Sequence, residues 1–344
     1  MTRPRRYSQS KKILLGLIAI FSLVFLVGLC VLGWLKITAT HTFISLLAPT
    51  SDSEINIEET DFFPVGVDLT KKEITEDPLV DNYVQKHFSI KTTNSRQSRL
   101  TDRFFAELST WNVFQQLASP QSRVLVIYPG ERKEEIVKNF SQIMHWNTAQ
   151  QTEFLETITT TAPALAEGKF SPGKYVTNRN VDPKDLANSI NQQFATKIIS
   201  RYNADIEAKV PLETTLIIAS LIEREAYDFT DMRLISGIIW NRLFIDMPLQ
   251  LDASLQYVRG GQAYEPKWWP KVNTNDKYLN SPFNTYKNAG LPPAPIANPS
   301  IEAVVAALNP KVTDCFYYLH SAQGEFYCSP TYDGHLQNIR NVYR

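Results

Sequence analysis

Ile13 to Leu35 is a run of 23 residues with no Asp, Glu, Lys or Arg, and nothing else in this chain limits its fold so strongly. At about 1.5 Å per residue, roughly 20 helical residues cross the hydrocarbon core of a bilayer. A secretory signal has a shorter apolar region, about 7–15 residues, and small residues at its cleavage site. This run is longer, and Lys36-Ile-Thr-Ala-Thr40 makes a poor cleavage site. It therefore reads as an uncleaved anchor. Arg3, Arg5, Arg6, Lys11 and Lys12 precede it, and only Lys36 follows closely. The positive-inside rule makes residues 1–12 a basic cytoplasmic tail and 13–35 a single transmembrane helix. Everything after residue 36 is then exported beyond the cytoplasmic membrane.

Charge is segregated in the same way. Residues 1–36 hold six basic and no acidic side chains, which leaves 29 basic against 35 acidic in the rest of a chain of zero net charge. A mildly acidic body does not fit a nucleic-acid binder, which carries a basic excess. With 43% hydrophobic and 20% charged residues, wholesale disorder is excluded. Cysteine is sparse. Cys30 lies in the apolar run, while Cys315 and Cys328 flank an aromatic stretch that reads as a hairpin turning around Ser321–Gly324. Such a hairpin brings the two thiols near each other, as a disulfide outside the cytoplasm or as two small apolar residues in a strand pair.

The expected architecture is α+β. Residues 36–120 form a juxtamembrane region, a stalk or small subdomain, with helical spacing only over Leu100–Leu117. A small α/β module is expected at 121–206. It opens on the strand Val124–Tyr128, turns at Pro129-Gly130, and continues in helices over Glu131–Ile143, Gln151–Ile158 and Asp182–Tyr202. From 207 to 344 the character changes. Helices are expected over Leu212–Tyr227, Asp231–Leu243 and Ile301–Leu308, with loops rich in Asn, Pro and Tyr over 248–299 and the hairpin at the end.

The informative chemistry is Ile217-Ile-Ala-Ser-Leu-Ile-Glu-Arg-Glu-Ala226, two carboxylates at the end of an apolar helix. Burying a charge costs several kcal/mol unless it is paired or neutralised. On a helix Glu223 and Glu225 lie about 200° apart. Glu225 shares a face with Ile218, Leu221 and Ile222, whereas Glu223 shares one with Leu216, Ala219 and Ser220. They do not enter one cleft together, so they are not the carboxylate pair of a conventional glycosidase. A single carboxyl in apolar surroundings has a raised pKa and serves as a general acid. The plainer alternative is a buried Glu paired with Arg224 or Arg242.

Leu249-Gln250-Leu-Asp252 and Ser281-Pro-Phe-Asn284-Thr285-Tyr286 add amides, hydroxyls, a carboxylate and an aromatic ring. These groups suit a cleft for a sugar polymer, and they suit ordinary loop capping equally well. Trp268-Trp269 stack on sugar rings or pack at an interface. His335 is a lone loop histidine. The chain contains no Gly-x-Ser-x-Gly and no His-Glu-x-x-His, and neither metal-ligand nor nucleotide-binding spacing stands out, so no cofactor is implied.

In order along the chain come Ala219-Ser-Leu-Ile-Glu-Arg-Glu225, Asn241-Arg-Leu243, Leu249-Gln-Leu-Asp252, Ser281-Pro-Phe-Asn-Thr-Tyr286, Gly290-Leu-Pro-Pro293, Ile296-Ala-Asn-Pro299, Ala306-Ala-Leu308 and Thr331-Tyr-Asp-Gly-His335. Together they resemble the membrane-anchored endolytic murein transglycosylases of bacteria, the MltG or YceG-like family. The resemblance covers 207–344 well and 124–206 more loosely, where Ile127-Tyr-Pro-Gly-Glu131 is similar to that family's LysM-like module. Ala294, where the family commonly has Gly, and Glu325, where it commonly has His, are departures.

The resemblance implies a C-terminal lytic-transglycosylase domain that cuts the β-1,4 bond between N-acetylmuramic acid and N-acetylglucosamine without water. It implies Glu225 as the catalytic residue and Glu223 and Asn241 as supporting residues. Gln250, Asp252, Asn284, Thr285 and Tyr286 are implied to bind the glycan. Peptidoglycan strands and the membrane are the implied partners, with penicillin-binding polymerases working alongside. Two other readings remain. One is a glycan-binding scaffold without catalysis; the other is a hydrolytic muramidase in which Asp252 activates water.

Overall fold

The computed structural model describes residues 62–78, 80, 82–84, 122–261 and 267–343, with helical positions at 17–18, 22 and 25–27. The expected span 13–35 as a whole, the Leu100–Leu117 helix and most of 36–120 lie outside the described residues. Among the described residues no helix is long and apolar enough to cross a membrane.

The chain enters the folded body through a two-residue strand pair, β1 (Val67–Asp68) and β2 (Glu73–Ile74). Phe63, Val67, Val80 and Val84 are buried in the larger of two hydrophobic cores. Backbone bonds from Phe63 to the carbonyl of Arg201 and from Gly66 to that of Leu308 fasten the segment. These residues are thus built into the C-terminal half of the protein.

The second core belongs to a strand–helix–helix–strand unit. β3 (Ser122–Ile127) is followed by α1 (Lys133–Met144), α2 (Thr148–Thr160) and β4 (Gly173–Asn178), and β3 pairs antiparallel with β4. Asn147 begins α2 with reciprocal bonds to Gln150, a capping box that satisfies two otherwise orphaned amides. Leu125, Ile127, Ile136, Phe140, Phe154 and Ile158 fill the interior, and Leu186 and Ile190 of α3 (Pro183–Lys197) cover it. The strand β4 has a weak signature. Lys174 and Thr177 are polar, Val176 is exposed, and Tyr175 is the ring that turns inward. Residues 199–201 form a 3-10 turn, so the helix expected over Asp182–Tyr202 ends earlier.

The C-terminal half is helical at its centre. After α4 (Ala204–Lys209) come α5 (Leu212–Glu225) and α6 (Phe229–Phe244), and both pack on α8 (Ile301–Leu308). From Ala303 to Leu308 every α8 side chain is buried, as are Leu216, Ile218, Leu221 and Ile222 of α5. Each large aliphatic chain so buried contributes about 1.5–3 kcal/mol. Trp240 fills the α6 side and donates its indole N–H to Ala307 O at 2.9 Å.

Two elements correct the sequence reading. The stretch expected to be loops, 248–299, contains α7 (Asp252–Gly260) and a 3-10 turn at Thr274–Tyr278. The Leu-Gln-Leu alternation before α7 mimics an extended segment, and Leu251 offers no capping side chain. At the end, β5 (Tyr317–His320) and β6 (Phe326–Ser329) form the expected hairpin, but α9 (Tyr332–Val342) follows and carries His335 on a helix. Cys315 and Cys328 are joined as a disulfide across the hairpin base.

Asn298 joins the two cores. Its Oδ1 accepts from Gly168 N–H at 2.9 Å and Phe170 N–H at 3.0 Å. Its Nδ2 donates to Glu131 O at 2.9 Å and to Glu167 Oε1 at 2.7 Å. Its backbone adds bonds to Gly130 and Glu131.

Candidate active site

The last turn of α5 delivers three neighbouring side chains in three directions. Successive helical residues are separated by about 100°. Glu223 turns inward to the start of α8, where its Oε2 accepts from Ser300 N–H at 2.9 Å and Ser300 Oγ–H at 2.5 Å. Arg224 turns towards the strand–helix–helix–strand unit, with its guanidinium 3.9 Å from the centre of the Trp269 ring. Glu225 turns into a cleft of about 1000 Å³, lined also by Gln250, Asp252, Tyr286, Arg242 and Tyr318. The two carboxylates therefore occupy different surroundings, as their spacing requires.

Glu225 is half-buried at the wall of this cleft. Its Oε1 accepts from Ala253 N–H at 3.1 Å, in the first turn of α7, and its Oε2 accepts from the Tyr318 hydroxyl at 3.0 Å. Burial raises its pKa, the two donors and His320 pull it back, and Asp252 adds to the rise. Burial also raises Glu223, against the opposing effect of Ser300. A raised pKa therefore does not separate the two glutamates. Position does, because only Glu225 borders the cleft.

The other expected site residues divide into a cleft surface and its support. Gln250, exposed in the cleft, has a φ of 49° and is held by its N–H on Thr285 O. Asp252 Oδ1 accepts from the Tyr286 hydroxyl at 2.7 Å, so these two face the cleft as a pair. Asn284 and Thr285 depart from the expectation that they touch the glycan. Both are buried. Asn284 donates to Lys277 O and Leu279 O and accepts from Tyr286 N–H. Thr285 Oγ1 accepts from Leu251 N–H and bonds Ser254 Oγ. They shape the wall from behind it.

Asn241 and Arg242 tie α6 to segments that flank the cleft. Asn241 Nδ2 donates to Thr313 O at 2.8 Å and Cys315 O at 3.1 Å, on the approach to β5. Arg242 Nε donates to Phe316 O at 2.6 Å, and its Nη1 reaches Leu249 O at 2.5 Å. Arg242 therefore ties the hairpin to the 248–251 segment, and it is not the partner of either glutamate.

Trp268 and Trp269 lie outside the cleft lining. Trp269 donates to Glu135 Oε2 at 3.1 Å and packs against the larger core, at the junction with the strand–helix–helix–strand unit. His335 lines the cleft, stacked on Tyr317, and burial lowers its pKa.

Tyr318 and His320 were not singled out by their sequence. Strand periodicity is the signal that finds them, since residues two apart share a face. His320 Nε2 lies 2.8 Å from Asp231 Oδ2 and presents its ring edge to Tyr318. Phe326 stacks on the Tyr318 ring with centroids 5.7 Å apart.

Residues 58–341 match the model of the YceG-like family. A protein of Bacillus subtilis strain 168 named endolytic murein transglycosylase is 35% identical over 174 residues, 49% of this chain and 46% of that one. A protein of the same name from Streptococcus pneumoniae D39 is 32% identical over 179 residues, 50% of this chain and 31% of that one. The chain thus matches less than half the length of these relatives. A crystal structure of a YceG-like protein from Listeria monocytogenes superposes with a TM-score of 0.55 at 22% identity. The superposition covers 81% of this chain and 98% of the other, and it bears on fold alone.

Proposed function

This chain belongs to the YceG-like family, and from that premise we propose that it is a membrane-anchored endolytic transglycosylase of peptidoglycan. One observation carries the reading. Glu225 alone of the two helix-end glutamates borders the cleft, with a raised pKa and with each carboxyl oxygen held by a donor.

In the proposed reaction the Glu225 carboxyl gives its proton to the glycosidic oxygen as the bond from N-acetylmuramic acid C1 breaks. The C6 hydroxyl of the same sugar bonds to C1, and its proton passes to the Glu225 carboxylate. The acid is restored, no water enters, and a 1,6-anhydro end is left. As the proton leaves, negative charge develops on Glu225. The Ala253 N–H and the Tyr318 hydroxyl stand where hydrogen bonds to that charge stabilise it.

The strand–helix–helix–strand order of 122–178 supports reading this unit as the family's LysM-like module. The basic residues before the apolar run support an N-terminus in the cytoplasm. The Cys315–Cys328 disulfide supports a catalytic domain in the oxidising space outside. Work beside penicillin-binding polymerases, trimming new strands, belongs to the same proposal and predicts co-purification with such a polymerase.

The test is mass spectrometry of uncrosslinked glycan strands incubated with the wild type, Glu225→Gln and Glu223→Gln. The expected result is anhydro-ended fragments from the wild type and Glu223→Gln but none from Glu225→Gln. A second reading, hydrolysis with Asp252 as base, has one observation in its favour: Asp252 lines the same cleft. Products one water heavier would establish it. Binding without cleavage by the wild type would favour the scaffold.

A further inference from the structure

The two donors to Glu225 differ in kind. Ala253 offers a backbone N–H, which donates and never accepts. Tyr318 offers a hydroxyl, which does both. A protonated carboxyl oxygen is a poor acceptor, so the oxygen committed to Ala253 N–H, Oε1, is disfavoured as the site of the proton. The proton of neutral Glu225 is thereby directed to Oε2, the oxygen beside Tyr318. We propose that Tyr318 is a positioning residue that fixes which Glu225 oxygen carries the proton and steadies the carboxylate once the proton has left. This rests on the reading of Glu225 as the acid.

The surroundings of Tyr318 fit that role. Its ring is stacked on Phe326 and edged by His320, and His320 is in turn held on Asp231. The ring is therefore fixed on two sides, and its hydroxyl reaches Glu225 without freedom to swing away. Burial, and next the neighbouring Glu225, hold the phenol protonated well above its ordinary range. Tyr318 thus stays a neutral hydroxyl throughout the working pH range: it accepts from Oε2 while Glu225 carries its proton, donates to Oε2 once that proton has left, and does not compete as a base.

The charged and titratable groups around Glu225 are few enough to name. Asp252 on α7 opposes its ionisation and His320 on β5 favours it. Tyr286 also feels its charge, as does Arg224 on its own helix. From α6, Arg242 and Asp231 act on Tyr318. Among these groups it is Tyr318 whose side chain hydrogen-bonds the Glu225 carboxyl.

The experiment uses the full chain on purified glycan strands, comparing the wild type, Tyr318→Phe and Glu225→Gln across pH. Phe keeps the ring and its stack on Phe326 and removes only the hydroxyl. Without that donor the charged carboxylate is less stable, so the Glu225 pKa rises. The alkaline limb of the profile, where the acid loses its proton, should move up by about one pH unit. kcat should fall about tenfold with KM little changed, the scale of one hydrogen bond to a charged group. Thermal unfolding, recorded alongside, separates lost protein from lost chemistry.

A limb and kcat like the wild type's in Tyr318→Phe, with Glu225→Gln inactive, would overturn the inference and leave the acid in place. A lower kcat with an unmoved limb would reduce Tyr318 to a structural part and overturn it too. Anhydro products from Glu225→Gln would instead remove the reading on which the inference rests.

Discussion

Asn298→Ala tests how firmly the strand–helix–helix–strand unit is fastened to the C-terminal helices. The wild-type side chain makes four hydrogen bonds in a fully buried position. Alanine keeps both backbone bonds, so Glu131 O retains the Asn298 N–H as its donor. Glu167 Oε1 likewise retains Lys133 N–H at 2.8 Å. The Gly168 and Phe170 amides have no such reserve and lose the acceptor they share. A buried donor left unmade costs about 1–3 kcal/mol, so two place the loss at about 2–6 kcal/mol. The small cavity left by the amide adds to this unless water fills it. Equilibrium urea unfolding of the full chain measures the change. A loss under about 1 kcal/mol, near the net worth of one ordinary hydrogen bond, would refute the view that Asn298 is the fastener. Asn298→Asp sharpens the test. It keeps the acceptor for both amides but sets a carboxylate against Glu167, whose own pKa burial already raises. It should be closer to the wild type in acid than at neutral pH.

Glu131 has its pKa raised to about 7 by burial, with Glu135 adding to the rise. A carboxyl raised on folding contributes stability below about pH 4.5, and the contribution disappears as pH climbs through about 7. Stability of the wild type relative to Glu131→Gln should fall over that window, by a few kcal/mol at most; parallel urea midpoints from pH 5 to 8 would refute it. Replacing Cys315 and Cys328 together with Ser opens a cross-link spanning 13 positions and should cost about 3 kcal/mol. Unfolding of the wild type under dithiothreitol should match the double variant, and equal stability with and without reductant would refute the prediction. Gln250→Gly relieves a left-handed backbone at φ 49° and should gain about 1 kcal/mol or less. It should also slow turnover, because the amide leaves the cleft; unchanged turnover would remove Gln250 from the binding surface.

The sequence made α5 legible because an apolar run ending in two glutamates has few solutions. Helical geometry alone put Glu223 and Glu225 on opposed faces, and their partners Ser300 and Tyr318 lie on opposed sides. The same logic failed at Asn284 and Thr285. Polar residues in a Pro-rich loop look solvent-facing, and nothing local reveals that the loop closes over Ser254 and the Leu251 N–H. The helix α7 was hidden for a related reason. Its buried positions are Ala253, Ser254, Leu255 and Gly260, and they hold one large apolar chain, so no i, i+4 stripe announces it. The hairpin could be read from its turn and its flanking cysteines, but the partner of Tyr318 sits 93 residues earlier, and long-range pairing leaves no mark in a local pattern.

Arg224 links these observations. Its guanidinium lies over Trp269, while its side chain presses on Gly130, where an added Cβ would meet Nη1 at 3.1 Å and Cδ at 3.2 Å. Gly130 also has a φ of 81°, so both its backbone and its missing side chain are needed at the turn after β3. Trp269 bonds Glu135 of α1. Arg224 is therefore enclosed by the unit on one side and by the segment after α7 on the other, with Glu223 and Glu225 as its immediate neighbours. Glu223 pins the same turn of helix to the start of α8. The Glu-Arg-Glu sequence thus fastens this turn of helix through Glu223 and Arg224 and leaves Glu225 as the member that borders the cleft.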